Sequence, residues 1–290
     1  MSAVTDTGNG SIEVIQVLFA LYPSFGAQEL CGPHEVFSNA CHKSESKAFE
    51  CTVAATSAGV TSSSGLTIKA DIDYADAHES LGDYDVLIIP GGDGIDELLK
   101  KQSEPIQLIK AFAKLQQTDP SKERTLLSIG TGSLILGQAG VLQGMAATTH
   151  PNYYTKIENI CKEAARQGEL LQTDVMEENY VVNNARFDLG EKLEENPFIL
   201  NKRPDGRRKS IARKGSNAWQ ESVKRRESNA RRASLRLGGL RVITTGGVTS
   251  GLDASLYLVA AMVSHECALE NANSLQYVWN KGVTVDGIDV

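Results

Sequence analysis

Residues 126–137 read Leu-Leu-Ser-Ile-Gly-Thr-Gly-Ser-Leu-Ile-Leu-Gly, and they hold the first arrangement capable of chemistry. An apolar run ends at Ile129, four small residues follow as Gly130-Thr131-Gly132-Ser133, and a second apolar stretch with helical spacing begins at Leu134. This pattern predicts a buried strand, a sharp turn and a helix. Small residues stand where backbone must approach backbone or a ligand. In an open α/β sheet such a turn lies at the carboxyl edge of a strand. The helix-initial N–H groups then point into the space where ligands bind and can stabilise developing negative charge. The same residues also fit an ordinary tight turn between strand and helix, so the rest of the chain has to decide.

The elements around this turn alternate. Strands are predicted at 12–21, 49–56, 84–90, 124–129, 146–149, 180–183 and 241–245, with a short strand or hairpin arm at 66–72. Helices are predicted from Gly32-Pro33 onward, over 95–115 with Pro105 marking a start, and over 134–142, 153–166 and 252–264. Apolar β-branched strands separated by helices imply an α/β fold with a mostly parallel sheet covered on both faces. Tyr180–Asn183 and Arg241–Thr245 read as the arms of a hairpin separated by a long insertion.

That insertion breaks the composition. Residues 201–238 carry thirteen Lys/Arg against three Asp/Glu in a chain whose net charge is −7. Few apolar residues and no period predict a basic, low-order surface segment over 185–238, as residues 1–11 predict a flexible tail. The single domain then comprises 12–184 and 239–290. Ser210, Ser228 and Ser234 each follow paired basic residues and resemble sites of basophilic kinases. The bland alternative is a solvated loop folded back on an acidic body.

The acidic total argues against nucleic-acid binding, and no apolar run is long enough to cross a membrane. The first ten residues lack a secretory pattern. Five cysteines, at 31, 41, 51, 161 and 267, form no CxxC pair, which predicts reduced thiols in a cytoplasmic protein and no zinc site. Cys41, Cys51, Cys161 and Cys267 are expected at core positions, and Cys31 in packing or at a pocket rim. The glycine-rich pieces lack dinucleotide spacing, so neither cofactor nor metal is expected.

Five segments, in order, carry a resemblance. They are Leu30-Cys31-Gly32-Pro33-His34-Glu35-Val36-Phe37, Ile88-Ile89-Pro90-Gly91-Gly92, the stretch from Gly130 to Leu142, Ala147-Thr148-Thr149-His150, and Thr245-Gly246-Gly247-Val248-Thr249-Ser250-Gly251-Leu252-Asp253. Together they resemble the ThiJ/PfpI superfamily, and within it the isonitrile hydratases. The resemblance implies a flavodoxin-like three-layer sandwich, a homodimer, and a small isonitrile or related metabolite as substrate. It also implies a catalytic carboxylate, which maps onto Glu29, beside a nucleophilic cysteine at the elbow. Where the hydratases carry Asp this chain has Glu, and where the family carries cysteine it has Gly130. Thr131 remains as a catalytic neighbour, and Gly92, Gly132, Ser133 and His150 are the implied substrate contacts, with a structural role favoured for His150.

Glycine keeps the turn but removes covalent catalysis. The expectation is therefore a carboxylate facing an empty space where a sulfur would stand. Three readings follow from it: a rerouted hydration of isonitrile to N-formamide, a pocket that binds without turnover, or an interaction module regulated through the basic insertion.

Overall fold

The computed structural model describes residues 14–101, 103–168, 171–184, 199–202 and 236–285. The tail and Ser210, Ser228 and Ser234 lie outside these residues. The first strands are β1 (Ile15–Ala20), β2 (Phe49–Ala55), a β3–β4 hairpin (Gly59–Thr61, Thr67–Lys69), β5 (Ile72–Asp73), β6 (Val86–Ile89) and β7 (Thr125–Ser128). Strands β8 (Ala146–Ala147), β9 (Asp174–Val175), β10 (Tyr180–Asn183), β11 (Ile199–Lys202), β12 (Arg241–Thr245) and β13 (Gly282–Val285) complete the set. Nine of them form one sheet in the order β11-β13-β10-β12-β7-β6-β1-β2-β5. From β5 to β12 neighbouring strands run parallel, and β10 reverses against β12.

Parallel neighbours need crossovers, and helices supply them. They are α1 (Ala27–Asn39), α2 (Tyr74–Glu79), α3 (Ile95–Lys101), α4 (Ile106–Thr118), α5 (Gly132–Gln138), α6 (Tyr154–Gln167), α7 (Val248–Met262) and α8 (His265–Ser274). Central strands β6 and β7 are buried along their whole length, as a sheet covered on both faces requires. The result is the flavodoxin-like three-layer sandwich. β1 leads outward to β2 on one side and pairs with β6 on the other, so the strand order switches between β1 and β6. The crevice beyond the carboxyl ends of those strands is where such sheets bind ligands. Among the described residues no helix is long and apolar enough to cross a membrane.

Several expectations need correction. The first helix begins at Ala27 rather than at Gly32-Pro33. Pro33 lies inside α1, where it has no N–H to donate to the Glu29 carbonyl, and packing overrides that loss. Gly32 admits the close approach of α7: a β-carbon there would stand 2.9 Å from Leu252 Cδ2. Residues 95–115 form two helices, with Pro105 capping the second as its position suggested.

Residues 199–202, inside the segment read as a low-order insertion, form the edge strand β11 beside β13. β13 itself went unread, because it begins at a glycine. A β-carbon on Gly282 would come within 2.4 Å of the Tyr180 ring, which occupies that space instead. Of the cysteines expected in the core, Cys161 is buried, Cys51 and Cys267 are half-buried, and Cys41 is exposed, as is Cys31. The hairpin pairing holds, with Tyr180 opposite Thr245 and Asn183 opposite Val242.

Candidate active site

The loops after β1 and β6 are bound to each other. Gly26 N–H donates to the Gly91 carbonyl at 2.7 Å, Gly94 N–H donates to the Ser24 carbonyl at 3.1 Å, and Phe25 bridges Gly92. Gly92 has φ +137°, and a β-carbon on it would stand 2.5 Å from both the Gly26 nitrogen and the Ser24 oxygen. Only glycine fits there. This junction sets the start of α1, and Glu29, its third residue, is thereby carried over the turn that follows β7.

Glu29 is 8% exposed, and its carboxyl sits among glycines. A β-carbon on Gly26 would lie 3.0 Å from its Cδ, one on Gly91 2.5 Å from Oε2, and one on Gly130 2.7 Å from Oε1. Side chains at those three positions would compete with the carboxyl for space. Oε2 is buried without a hydrogen-bond partner among the described residues. The pKa of Glu29 is raised from 4.5 to about 7, mainly by burial; the Gly91 backbone N–H opposes the rise and the Asp93 carboxylate adds to it. The group therefore exchanges a proton near neutrality, the condition under which one carboxyl serves as both acid and base.

The elbow is held from three directions. Gly130 has φ +53°, the left-handed conformation that glycine adopts without strain. Its N–H donates to Thr245 Oγ1 at 3.3 Å, and its carbonyl accepts from Ser133 Oγ at 3.0 Å and Thr149 Oγ1 at 3.1 Å. Thr131 Oγ1 accepts from Gly92 N–H at 3.0 Å, which joins the β7 turn to the β6 loop.

Of the helix-initial N–H groups at 131–133, expected to face the ligand space, two are used within the turn. Gly132 N–H turns back to the Ile129 carbonyl at 2.9 Å and Ser133 N–H to the Gly130 carbonyl at 3.4 Å. The first turn of α5 uses them internally. Thr131 N–H makes no hydrogen bond among the described residues and is the amide left to meet a ligand.

The structure thus brings Glu29, Gly92, Gly130 and Thr131 together. Gly132 lies against β6, where a β-carbon would stand 2.4 Å from the Ile89 carbonyl oxygen, so it serves packing between strand and helix. Ser133 is fully buried with its hydroxyl on the Gly130 carbonyl. His150 accepts the Asn152 N–H through Nδ1 at 3.3 Å and meets the Tyr153 ring edge-on, a capping role. The expected empty space at the elbow is also modified, because Glu29 Oε1 has closed on the bare Gly130 position.

Sequence reasoning missed Tyr22, Asp93, Thr149 and Thr245. Tyr22 is buried, donates to the Pro90 carbonyl at 3.0 Å, and has its pKa raised by burial and then by Glu29. The only signal for Tyr22 was its place just after the first predicted strand, whereas Thr149 and Thr245 stood at strand ends inside the resembling segments.

The model of the DJ-1/PfpI family matches residues 15–185. Isonitrile hydratase from Pseudomonas putida is 31% identical over 140 residues, 48% of this chain and 54% of that protein, so the match spans about half the relative's length. Among solved structures, a ThiJ/PfpI family protein from Pseudomonas syringae superposes with a TM-score of 0.54 at 21% identity. That alignment covers 92% of this chain and 76% of the other. Drosophila melanogaster DJ-1beta superposes with a TM-score of 0.54 at 15% identity, covering 92% of this chain and all of the other. The two superpositions speak to the fold.

Proposed function

The chain belongs to the DJ-1/PfpI family, and on that premise we propose that it hydrates a small isonitrile to the N-formamide through Glu29, without a covalent intermediate. The observation that carries this reading is a buried carboxyl, poised near neutrality, aimed at a turn without a nucleophile. The protonated Glu29 gives its proton to the terminal isonitrile carbon. A water molecule then attacks the same carbon while the Glu29 carboxylate takes a proton from it. The resulting imidic acid tautomerises to the formamide, so one water is consumed and the carboxyl returns to its starting state. In this reading the Thr131 N–H holds the attacking oxygen. General acid–base assistance of this kind contributes about 10²–10⁴-fold, which describes a slow enzyme.

A second reading rests on one feature. Oε1 already occupies the neighbourhood of the missing β-carbon, which suits a pocket that binds the metabolite and does not turn it over. Formamide release from an alkyl isonitrile, followed by proton NMR with the wild-type chain and Glu29→Gln, separates the two. Product from the wild type and none from the variant supports hydration. Saturable binding with no product in either supports the binding pocket, and product unaffected by the substitution rejects Glu29 as the catalyst.

A further inference from the structure

Tyr22 is buried just beyond β1, and its hydroxyl donates to the Pro90 carbonyl at 3.0 Å, 68 residues away along the chain. A buried tyrosine hydroxyl needs an acceptor. The one it takes belongs to the peptide that leads from β6 into the glycines around Glu29. Glu104–Pro105 is the one cis bond among the described residues, so Pro90–Gly91 is trans, and its carbonyl and N–H point to opposite sides. Tyr22 holds the carbonyl. Gly91 itself lies against the Glu29 carboxyl, where a β-carbon would stand 2.5 Å from Oε2.

The other polar groups of this strip are engaged elsewhere. The Gly91 carbonyl accepts from Gly26 N–H at 2.7 Å, and Gly92 N–H donates to Thr131 Oγ1 at 3.0 Å. Gly91 N–H makes no backbone hydrogen bond among the described residues, and it is the donor that favours the charged form of Glu29. The carboxyl does not fix that donor, because Oε2 is buried without a full hydrogen bond, and a glycine has no side chain to resist rotation of its peptide. The hold comes from the far side. A hydrogen bond to a carbonyl also polarises the peptide and strengthens its N–H as a donor.

We propose that Tyr22 is a positioning residue for Glu29: its hydroxyl fixes and polarises the Pro90–Gly91 peptide so that the Gly91 N–H is presented to the carboxyl. Tyr22 touches no reacting atom. It sets the proton affinity and the direction of the group that does. The titratable groups facing Glu29 are Asp93, whose carboxylate raises the Glu29 pKa, and Tyr22 itself. Burial and then Glu29 push the Tyr22 phenol above its ordinary value, so it stays a donor. The proposal rests on Glu29 as the proton-transfer group, but its test requires no turnover.

Tyr22→Phe keeps the ring and deletes the donor. Tyr74→Phe, which removes a comparable buried hydroxyl from the Leu21 carbonyl at 2.9 Å, is the control for general loosening. The full chain, labelled with carbon-13 at its glutamate carboxyls, is titrated by NMR, and the Glu29 signal is assigned by its loss in Glu29→Gln. In Tyr22→Phe the Glu29 midpoint should move upward from about 7, because the carboxylate loses a presented N–H. In Tyr74→Phe it should stay at the wild-type value. Replacing Tyr22 by 3-fluorotyrosine, a more acidic donor, should move the midpoint downward, which decides the matter even if Tyr22→Phe does not fold. With an alkyl isonitrile, kcat of Tyr22→Phe should fall several-fold at unchanged KM, and the descending limb of its pH–rate profile should follow the NMR midpoint. A midpoint unmoved by both changes at Tyr22, or displaced equally by Tyr22→Phe and Tyr74→Phe, overturns the proposal. Absence of formamide from the wild-type chain would overturn the hydration reading alone, since the NMR midpoints decide the role of Tyr22 without it.

Discussion

Glu29 Oε1 lies 2.7 Å from the point where a β-carbon on Gly130 would stand. The carboxyl from the first turn of α1 and the bare turn after β7 therefore share one volume, and a change at either is felt at the other. Since the obstructing atom is the far end of a flexible side chain, a small residue at 130 displaces the carboxyl and leaves the backbone in place.

Substituting Gly130 tests that coupling. A side chain in the left-handed conformation costs about 1–2 kcal/mol, so Gly130→Ala and Gly130→Cys should both lower urea-denaturation stability by that amount. The pair then separates in activity. Alanine pushes Glu29 aside and offers nothing in return, so formamide production should fall. Cysteine restores an attacking atom beside the same carboxyl, and its rate should exceed both the alanine variant's and the wild type's. Equal rates for the two variants would show that sulfur has no role left to resume here.

The raised pKa of Glu29 makes stability depend on pH with a definite sign. Between its unfolded value of 4.5 and its folded value of about 7, the folded chain holds a proton that the unfolded chain has released. Stability is therefore present below 4.5 and is lost as pH rises through the folded value. At about 1.36 kcal/mol per pKa unit, the full loss between 4.5 and about 7 is about 3.4 kcal/mol. Glu29→Gln carries no titrating group, so its stability should match the wild type below pH 4.5 and exceed it by about 3 kcal/mol at pH 8. Chemical denaturation of both proteins at several pH values measures the difference.

The same proton governs the rate. If Glu29 must begin as the acid, formamide formation should fall about tenfold per pH unit above 7. A pH–rate profile at saturating isonitrile reads this directly. A flat profile to pH 9 would remove Glu29 from the proton-transfer step.

Thr149 is expected to matter although it is remote in sequence. Its hydroxyl is one of two that fix the Gly130 carbonyl. Thr149→Val keeps the shape and deletes that donor, which should cost about 1 kcal/mol in thermal or urea unfolding. It should also lower kcat more than it raises KM, because the loosened turn misplaces the Thr131 N–H.

Asp253 anchors the segment that precedes β13. Its carboxylate accepts from Asn179 Nδ2 and from the Asn280 backbone N–H, each at 2.7 Å, and its carbonyl accepts from Trp279 Nε1 at 3.0 Å. Asp253→Ala removes the acceptor of the half-buried Asn179 amide and of the Asn280 N–H, which water can partly replace, and should destabilise the fold by about 1–2 kcal/mol. In a Trp219→Phe background the emission of Trp279 should shift to the red as residues 277–280 loosen.

Much of this was legible in local pattern. The apolar runs of β1, β6 and β7 are nearly continuous because both faces of the sheet are covered there, and Pro105 fixes where α4 begins. The start of α1 was not, since the penalty at Pro33 is visible in the sequence while the packing that offsets it is not. The partners of the Gly130 peptide were equally hidden. Thr245 is 115 residues away, and only the pairing of β7 with β12 delivers its hydroxyl. Strand β13 emerged because the Tyr180 ring covers a glycine, a contact that no period announces.

By itself the sequence determined that position 130 is glycine, so any chemistry at the turn must proceed without a thiol, and that a carboxyl, Glu29, stands immediately ahead of Leu30-Cys31-Gly32-Pro33. Only the tertiary structure decided that the two meet. It also decided that two of the three helix-initial amides turn inward and that Glu29 titrates near neutrality. The reason is that residue types are local properties, whereas desolvation is set by what surrounds a group. Glycines from three separate loops close around one carboxyl and remove its water.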